Sequence, residues 1–144
     1  MDENEERLEA TDIAEIWSDG VARTFERLAG ASDAVALLVD TPWPGMQVPD
    51  CLSESIDEPT QCAFSLADGL RDLDLLEQES VPAAANDVVI VDLAESICPT
   101  DPCSVVTEEG LITYRDSHHL TVAFTLTLTD ALAEEFGDII DDAR

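Results

Sequence analysis

Two short apolar runs, each bracketed by aspartates, set the strongest limit on how this chain folds. They are Asp33-Ala34-Val35-Ala36-Leu37-Leu38-Val39-Asp40 and Asp87-Val88-Val89-Ile90-Val91-Asp92. An unbroken apolar run of this length suits a strand covered on both faces, which is the habit of parallel sheets. Parallel neighbours need a crossover, usually helical. Ile13, Ile16, Trp17, Val21, Phe25 and Leu28 recur at helical spacing ahead of Gly30, and Cys62, Leu66, Leu70, Leu73 and Leu76 do so between the two runs. The alternation predicts an α/β fold. Two strands make an incomplete sheet, because an edge leaves backbone groups unpaired. The expected architecture is therefore part of a doubly wound parallel sheet, its other strands coming from a preceding segment, a partner chain or a symmetric dimer.

The remaining segments fit around that frame. A Pro-rich loop, Thr41-Pro42-Trp43-Pro44-Gly45, leaves the end of the first run. Ser104–Val106 and Leu111–Tyr114 flank Glu108-Glu109-Gly110 and predict a small hairpin. Val122, Phe124, Leu126 and Leu128 alternate with threonines as a strand would, yet Leu120, Phe124, Leu128, Leu132 and Phe136 form an i, i+4 stripe leading into Ala131-Leu132-Ala133-Glu134-Glu135. The stripe and the strong helix formers predict one helix from about Leu120 to Phe136. Residues 1–12 are expected to be an acidic flexible start and residues 13–140 the folded part.

Charge narrows the partners. Thirty-three acidic residues face six basic ones, all Arg, for a formal charge of −27. Nucleic acid and anionic membrane surfaces are therefore not expected as partners. Such a surplus repels itself at low ionic strength, so a salt-rich or cell-surface setting fits, as does a simply well-solvated acidic surface. The cysteines fall into two close pairs, Cys51 with Cys62 and Cys98 with Cys103, which suits two local disulfides; free thiols and a metal site are the alternatives. No metal or cofactor is expected, since neither pair has zinc-knuckle spacing and His118 and His119 are adjacent rather than helically spaced. The acidic start does not read as a signal peptide, and no stretch has the length of a membrane span. Disulfides without an export signal point to a missing N-terminal portion.

The chemistry gathers at Tyr114-Arg115-Asp116-Ser117-His118-His119-Leu120-Thr121. An Asp three residues before a His, in a loop that opens a helix, is placed to fix the imidazole tautomer and stabilise its protonated form. His119 would then serve as a general base toward a hydroxyl. The plainer alternative is that Asp116 caps the helix while both histidines are solvated. Ser117 is too local to be presented to them as a nucleophile.

Asp50-Cys51-Leu52 after Thr41-Pro42, Ile97-Cys98-Pro99 with Cys103, and Tyr114-Arg115-Asp116 ending in His119-Leu120-Thr121 together resemble the SGNH domain fused to the C-terminus of bacterial membrane acyltransferases. The stretch from Trp17 to Leu28, followed by Asp40-Thr41-Pro42, resembles the region that precedes these motifs. The resemblance covers about Ile13 to Phe136 and implies a flavodoxin-like SGNH fold lacking its N-terminal strands, that is, the C-terminal half of the domain. It implies Asp116 and His119 as triad acid and base, with His118 at a variable position. By the same resemblance the substrate is a glycan or acyl ester, the partner an N-terminal half-domain or a membrane acyltransferase domain, and the location the extracytoplasmic face of the membrane, or solution if the chain stands alone. The family draws its serine from a Gly-Asp-Ser motif and its oxyanion hole from that serine, a Gly and an Asn. This sequence has no Gly-Asp-Ser, and its asparagines are Asn4 and Asn86. The resemblance thus leaves two readings: half of an O-acyltransferase or esterase site, or an inactive or glycan-binding half-domain.

Overall fold

The computed structural model describes residues 10–70 and 73–142, which form two compact units. The first comprises residues 10–37 with 73–90 and the second residues 38–70 with 91–142. Residues 1–9 of the acidic start expected to be flexible lie outside the described residues, while residues 10–12 belong to the first helix.

In the first unit, helix α1 (Ala10–Ala29) packs along helix α4 (Leu73–Ala85). Phe25, Ala83 and Val88 form its buried core, with Val21, Val35 and Leu37 packed against them. The Trp17 indole N–H donates to Glu79 Oε1 at 3.1 Å. The end of α4 is set by the left-handed backbone of Asp87 (φ 53°), which lets the Val88 N–H reach back to Ala83 O at 2.9 Å. Asp is among the few residues that adopt this conformation without glycine's freedom.

The predicted runs become strands β1 (Ala36–Leu38) and β2 (Val89–Val91). They are paired in parallel, since Val89 N–H donates to Val35 O and Val39 N–H to Val91 O, so residue numbers rise together on both. The expectation of cover on both faces is corrected: Leu38, Val89 and Ile90 are exposed and Val91 alone of β2 is fully buried. A single pair of strands with three residues each has too little neighbouring structure to bury both faces.

The single helix expected over Cys62–Leu76 is also corrected. Cys62 ends a short 3-10 turn (Pro59–Cys62), Leu66 opens a separate one-turn helix α3 (Leu66–Gly69), and Leu76 belongs to α4. The break has a cause, because Ala63 is extended and Phe64 pairs antiparallel with Cys103, each donating its N–H to the other's carbonyl. Two short helices had no sequence expectation, α2 (Val48–Glu54) and α5 (Ala94–Ile97). Both disulfides are formed. Cys51–Cys62 links α2 to the 3-10 turn, and Cys98–Cys103 closes the loop after α5.

The hairpin is present as antiparallel bridges, with Val106 opposite Ile112, and its turn is closed by Gly110 at φ 83°, whose N–H donates to Thr107 O. The last segment is helical, as the stripe predicted, but in two pieces, α6 (Val122–Thr127) and α7 (Thr129–Asp142), and Leu120 lies outside both. Thr125, Thr127 and Thr129 turn their hydroxyls onto carbonyls three or four residues back, which is how β-branched residues are accommodated in a helix. The core of this unit gathers Val48, Phe64, Ile97, Val105, Tyr114, Phe124 and Leu128 around the cysteines.

Candidate functional site

The segment from Tyr114 to Thr121 is held at both ends. Tyr114 and Leu120 form an antiparallel bridge, and within it the Arg115 N–H donates to His119 O at 2.9 Å. Outside it the Thr121 N–H donates to Thr113 O at 2.8 Å, and the Thr121 hydroxyl to Ile112 O. Thr121 also caps α6 by accepting the Phe124 N–H. Tyr114 fixes the assembly to the rest of the unit: it is 1 % exposed, meets Phe64 edge to face, and its hydroxyl donates to Pro42 O at 2.7 Å. Burial pushes the Tyr114 phenol up from its ordinary value.

Residues 115–119 therefore form a closed turn, and Asp116 organises its interior. Its Oδ1 accepts the backbone N–H of His118 at 2.9 Å and of His119 at 2.7 Å, while Oδ2 lies 2.7 Å from Nδ1 of His119. The two backbone donors hold the carboxyl well below its ordinary range, and the His119 ring adds to the effect. An ionised carboxylate only accepts, so Nδ1 of His119 carries the proton of this bond and Nε2 of the neutral ring holds the lone pair. Arg115 Nε stands 3.6 Å from Oδ2 at an exposed position, where an ion pair adds little.

The two residues expected from the sequence, Asp116 and His119, are thus in direct contact, with the His119 side chain 52 % exposed. The capping role considered for Asp116 belongs to Thr121 instead. The Ser117 hydroxyl lies 3.0 Å from Nδ1 of His118, not against His119. The two imidazoles lie against each other with centroids 3.9 Å apart and planes tilted by 40°, and Trp43 lies against His118 at 5.3 Å.

An open cleft of about 470 Å³ is lined by Asp40, Thr41, Trp43, Arg115, both histidines, Leu120 and Thr125. A neighbouring apolar groove of about 520 Å³ shares Asp40, Thr41, Leu120 and Thr125 with it and continues along Leu38, Leu126, Leu132 and Phe136. Sequence reasoning had no route to Tyr114 as the anchor, because its partner, the Pro42 carbonyl, is 72 residues away. Among the described residues no helix is long and apolar enough to cross a membrane.

A protein-family model described as an SGNH domain (fused to AT3 domains) matches residues 1–134. No curated protein and no solved structure matches the chain.

Proposed function

The chain belongs to the family of SGNH domains fused to AT3 domains, and from that premise we propose that it supplies the acid and the base of an acyl-transfer site, Asp116 and His119. The observation that carries this reading is the 2.7 Å contact between Asp116 Oδ2 and His119 Nδ1 beside an open cleft. With Nδ1–H donated to the carboxylate, Nε2 is the atom that takes a proton, a service worth about 10²- to 10⁴-fold in rate.

The reaction runs in two halves. His119 takes the proton of a serine hydroxyl as Oγ attacks an acyl ester, and returns it to the departing alcohol. It then takes the proton of a sugar hydroxyl, or of water, as that group attacks the acyl-enzyme, and gives it to the serine Oγ as the acyl–Oγ bond breaks. The chain's sequence has no Gly-Asp-Ser, so the serine and the oxyanion donors, each worth about 3 to 4 kcal/mol, come from another segment, fused or separate. The unfilled sheet supports this. Leu38, Val89 and Ile90 are exposed, and the groove beside the cleft is apolar, which suits a doubly wound sheet whose further strands arrive with the serine. An AT3 domain in the membrane would deliver the acyl group.

Co-expression with an N-terminal SGNH segment should restore hydrolysis of acetyl esters, and His119→Ala should abolish it. Restored activity that survives His119→Ala would remove the assignment. A second reading has its own observation: Trp43, about a third exposed on the cleft, offers a ring for sugar stacking without catalysis. Glycan binding that persists in His119→Ala and is lost in Trp43→Ala, with no esterase activity in any combination, would favour it.

A further inference from the structure

We propose that Asp116, His118 and His119 together bind a borderline divalent cation of the Zn²⁺ class, and that the bound cation turns off the base function assigned to His119. The second half of this statement rests on the function proposed above; the first does not. The sequence expected no metal, because adjacent histidines lack helical ligand spacing. The closed turn overrides spacing by folding the carboxylate back onto both rings.

One donor atom from each of the three residues lies within 4.8 Å of the other two. Asp116 Oδ1 is 3.7 Å from Nδ1 of His118, and Oδ2 is 2.7 Å from Nδ1 of His119. Ligand atoms on a tetrahedral zinc stand roughly 3.3 Å apart, given bonds of about 2.0 to 2.2 Å. The carboxylate–imidazole separations, to Oδ1 and Oδ2, lie on either side of that value, and with one donor atom from each residue within 4.8 Å of the others, rotation of both rings and of the carboxylate would complete the set. Two imidazole nitrogens select a borderline ion over Mg²⁺ or Ca²⁺, which prefer oxygen. His118 is 41 % and His119 52 % exposed, which gives the ion a way in and leaves a fourth position to water. The net charge of −27 raises the cation concentration near the surface. Arg115, 3.6 Å from Oδ2, opposes a second positive charge, but at 63 % exposure its field is well screened.

The consequence for the base is a matter of proton position. Without the ion, Nδ1–H of His119 points at Asp116 and Nε2 carries the lone pair. A cation on Nδ1 takes the lone pair there, and the ring proton moves to Nε2 through solvent. The neutral ring keeps one proton throughout, but the atom that would accept a proton from a hydroxyl has become a donor.

The test uses the whole chain and Zn²⁺ alone, in excess Mg²⁺ to occupy surface carboxylates, with calorimetry and imidazole ¹⁵N NMR. One Zn²⁺ per chain should bind, and the His119 proton should move from Nδ1 to Nε2. Loss of an outer-shell partner already costs about 10- to 100-fold in metal affinity, so His118→Ala and His119→Ala should each weaken binding by about tenfold or more. His118→Gln serves as a second variant, with circular dichroism confirming an unchanged fold. Equal Zn²⁺ affinity in wild type and both alanine variants would overturn the site, and a proton that stays on Nδ1 at saturation would overturn the switch. If the reconstituted esterase proves indifferent to His119→Ala while Zn²⁺ binding follows the expected pattern, the proposed function fails and the cation site stands.

Discussion

Asp116 meets His119 twice: its Oδ1 accepts the His119 backbone N–H at 2.7 Å, and its Oδ2 stands 2.7 Å from Nδ1 of the same residue's ring. One carboxylate thereby fixes both where the histidine sits and which nitrogen bears the proton. Asp116→Asn separates these roles. The amide oxygen still accepts from the backbone, but the NH₂ group faces Nδ1 and favours the opposite tautomer. The expected result is an intact fold with reconstituted esterase activity lowered by about two to four orders of magnitude. Ester hydrolysis rates together with ¹⁵N shifts of the His119 ring check this, and full activity with an unchanged tautomer would contradict it.

Tyr114 gives an alkaline signature. Its phenol is raised above the ordinary value, so the folded state favours the protonated form. The contribution is complete below the unfolded pKa of about 10 and is lost as pH rises beyond it. Chemical denaturation from about pH 8 to about pH 11 should show stability falling at the upper end. Tyr114→Phe should remove most of this slope and, by leaving Pro42 O unpaired, cost about 1 to 3 kcal/mol at neutral pH.

Gly69 is a packing constraint rather than a turn requirement. A Cβ there would sit 2.7 Å from the Phe64 ring and 3.3 Å from the side chain of Pro42, and both neighbours are buried. Gly69→Ala is expected to destabilise the chain by about 1 to 3 kcal/mol through overpacking. Because Gly69 O also accepts the backbone N–H of Trp43 and so positions that residue, the fluorescence of the cleft tryptophan should shift in the variant. A thermal midpoint equal to wild type would show that Phe64 has room to move.

The two disulfides close loops between residues 11 and 5 apart in sequence. Chain-entropy arguments give about 2 to 3 kcal/mol for each, with the larger share from Cys51–Cys62. Urea unfolding with and without reductant, and of the paired alanine variants, should show that order. Since Cys62, Cys98 and Cys103 lie in the core with Tyr114, loss of either bridge is expected to broaden the His119 ring signals as well.

The acidic surplus predicts a salt response. Raising NaCl from about 0.1 M to 1 M shortens the screening length from about 10 Å to about 3 Å. With a net charge of −27 and no lysine to offset it, the thermal midpoint should climb over that range. A flat profile would mean that the carboxylates are already far enough apart for water to screen them.

The contact between Asp116 and His119 was legible because it is local. Asp116 and His119 are three residues apart, and a turn of that length brings carboxylate and ring together without help from distant segments. The alternation of β1 and β2 with helices was legible for a similar reason, since an unbroken apolar run between aspartates leaves few alternatives to a strand. What periodicity could not register was long-range pairing. The leucine series through Cys62 and Leu66 has helical spacing, yet Phe64 is drawn into an extended pair with Cys103, and the cysteines on either side are bound in disulfides. The depth of strand burial failed as well, because it depends on neighbours that two short strands do not themselves provide.

The closed turn divides residues 115–119 into two kinds of position. Main-chain bonds from Arg115 to His119, and from Thr121 to Thr113, set the path of the backbone, while Asp116 and His119 set its interior. Arg115 and His118 contribute only their main-chain N–H groups to this, and none of the hydrogen bonds that set path or interior comes from the side chains of Arg115, Ser117 or His118. The turn therefore works as a cassette: its frame can be kept unchanged while these three side chains are exchanged, so what approaches His119 can diversify without the Asp116–His119 pair being rebuilt.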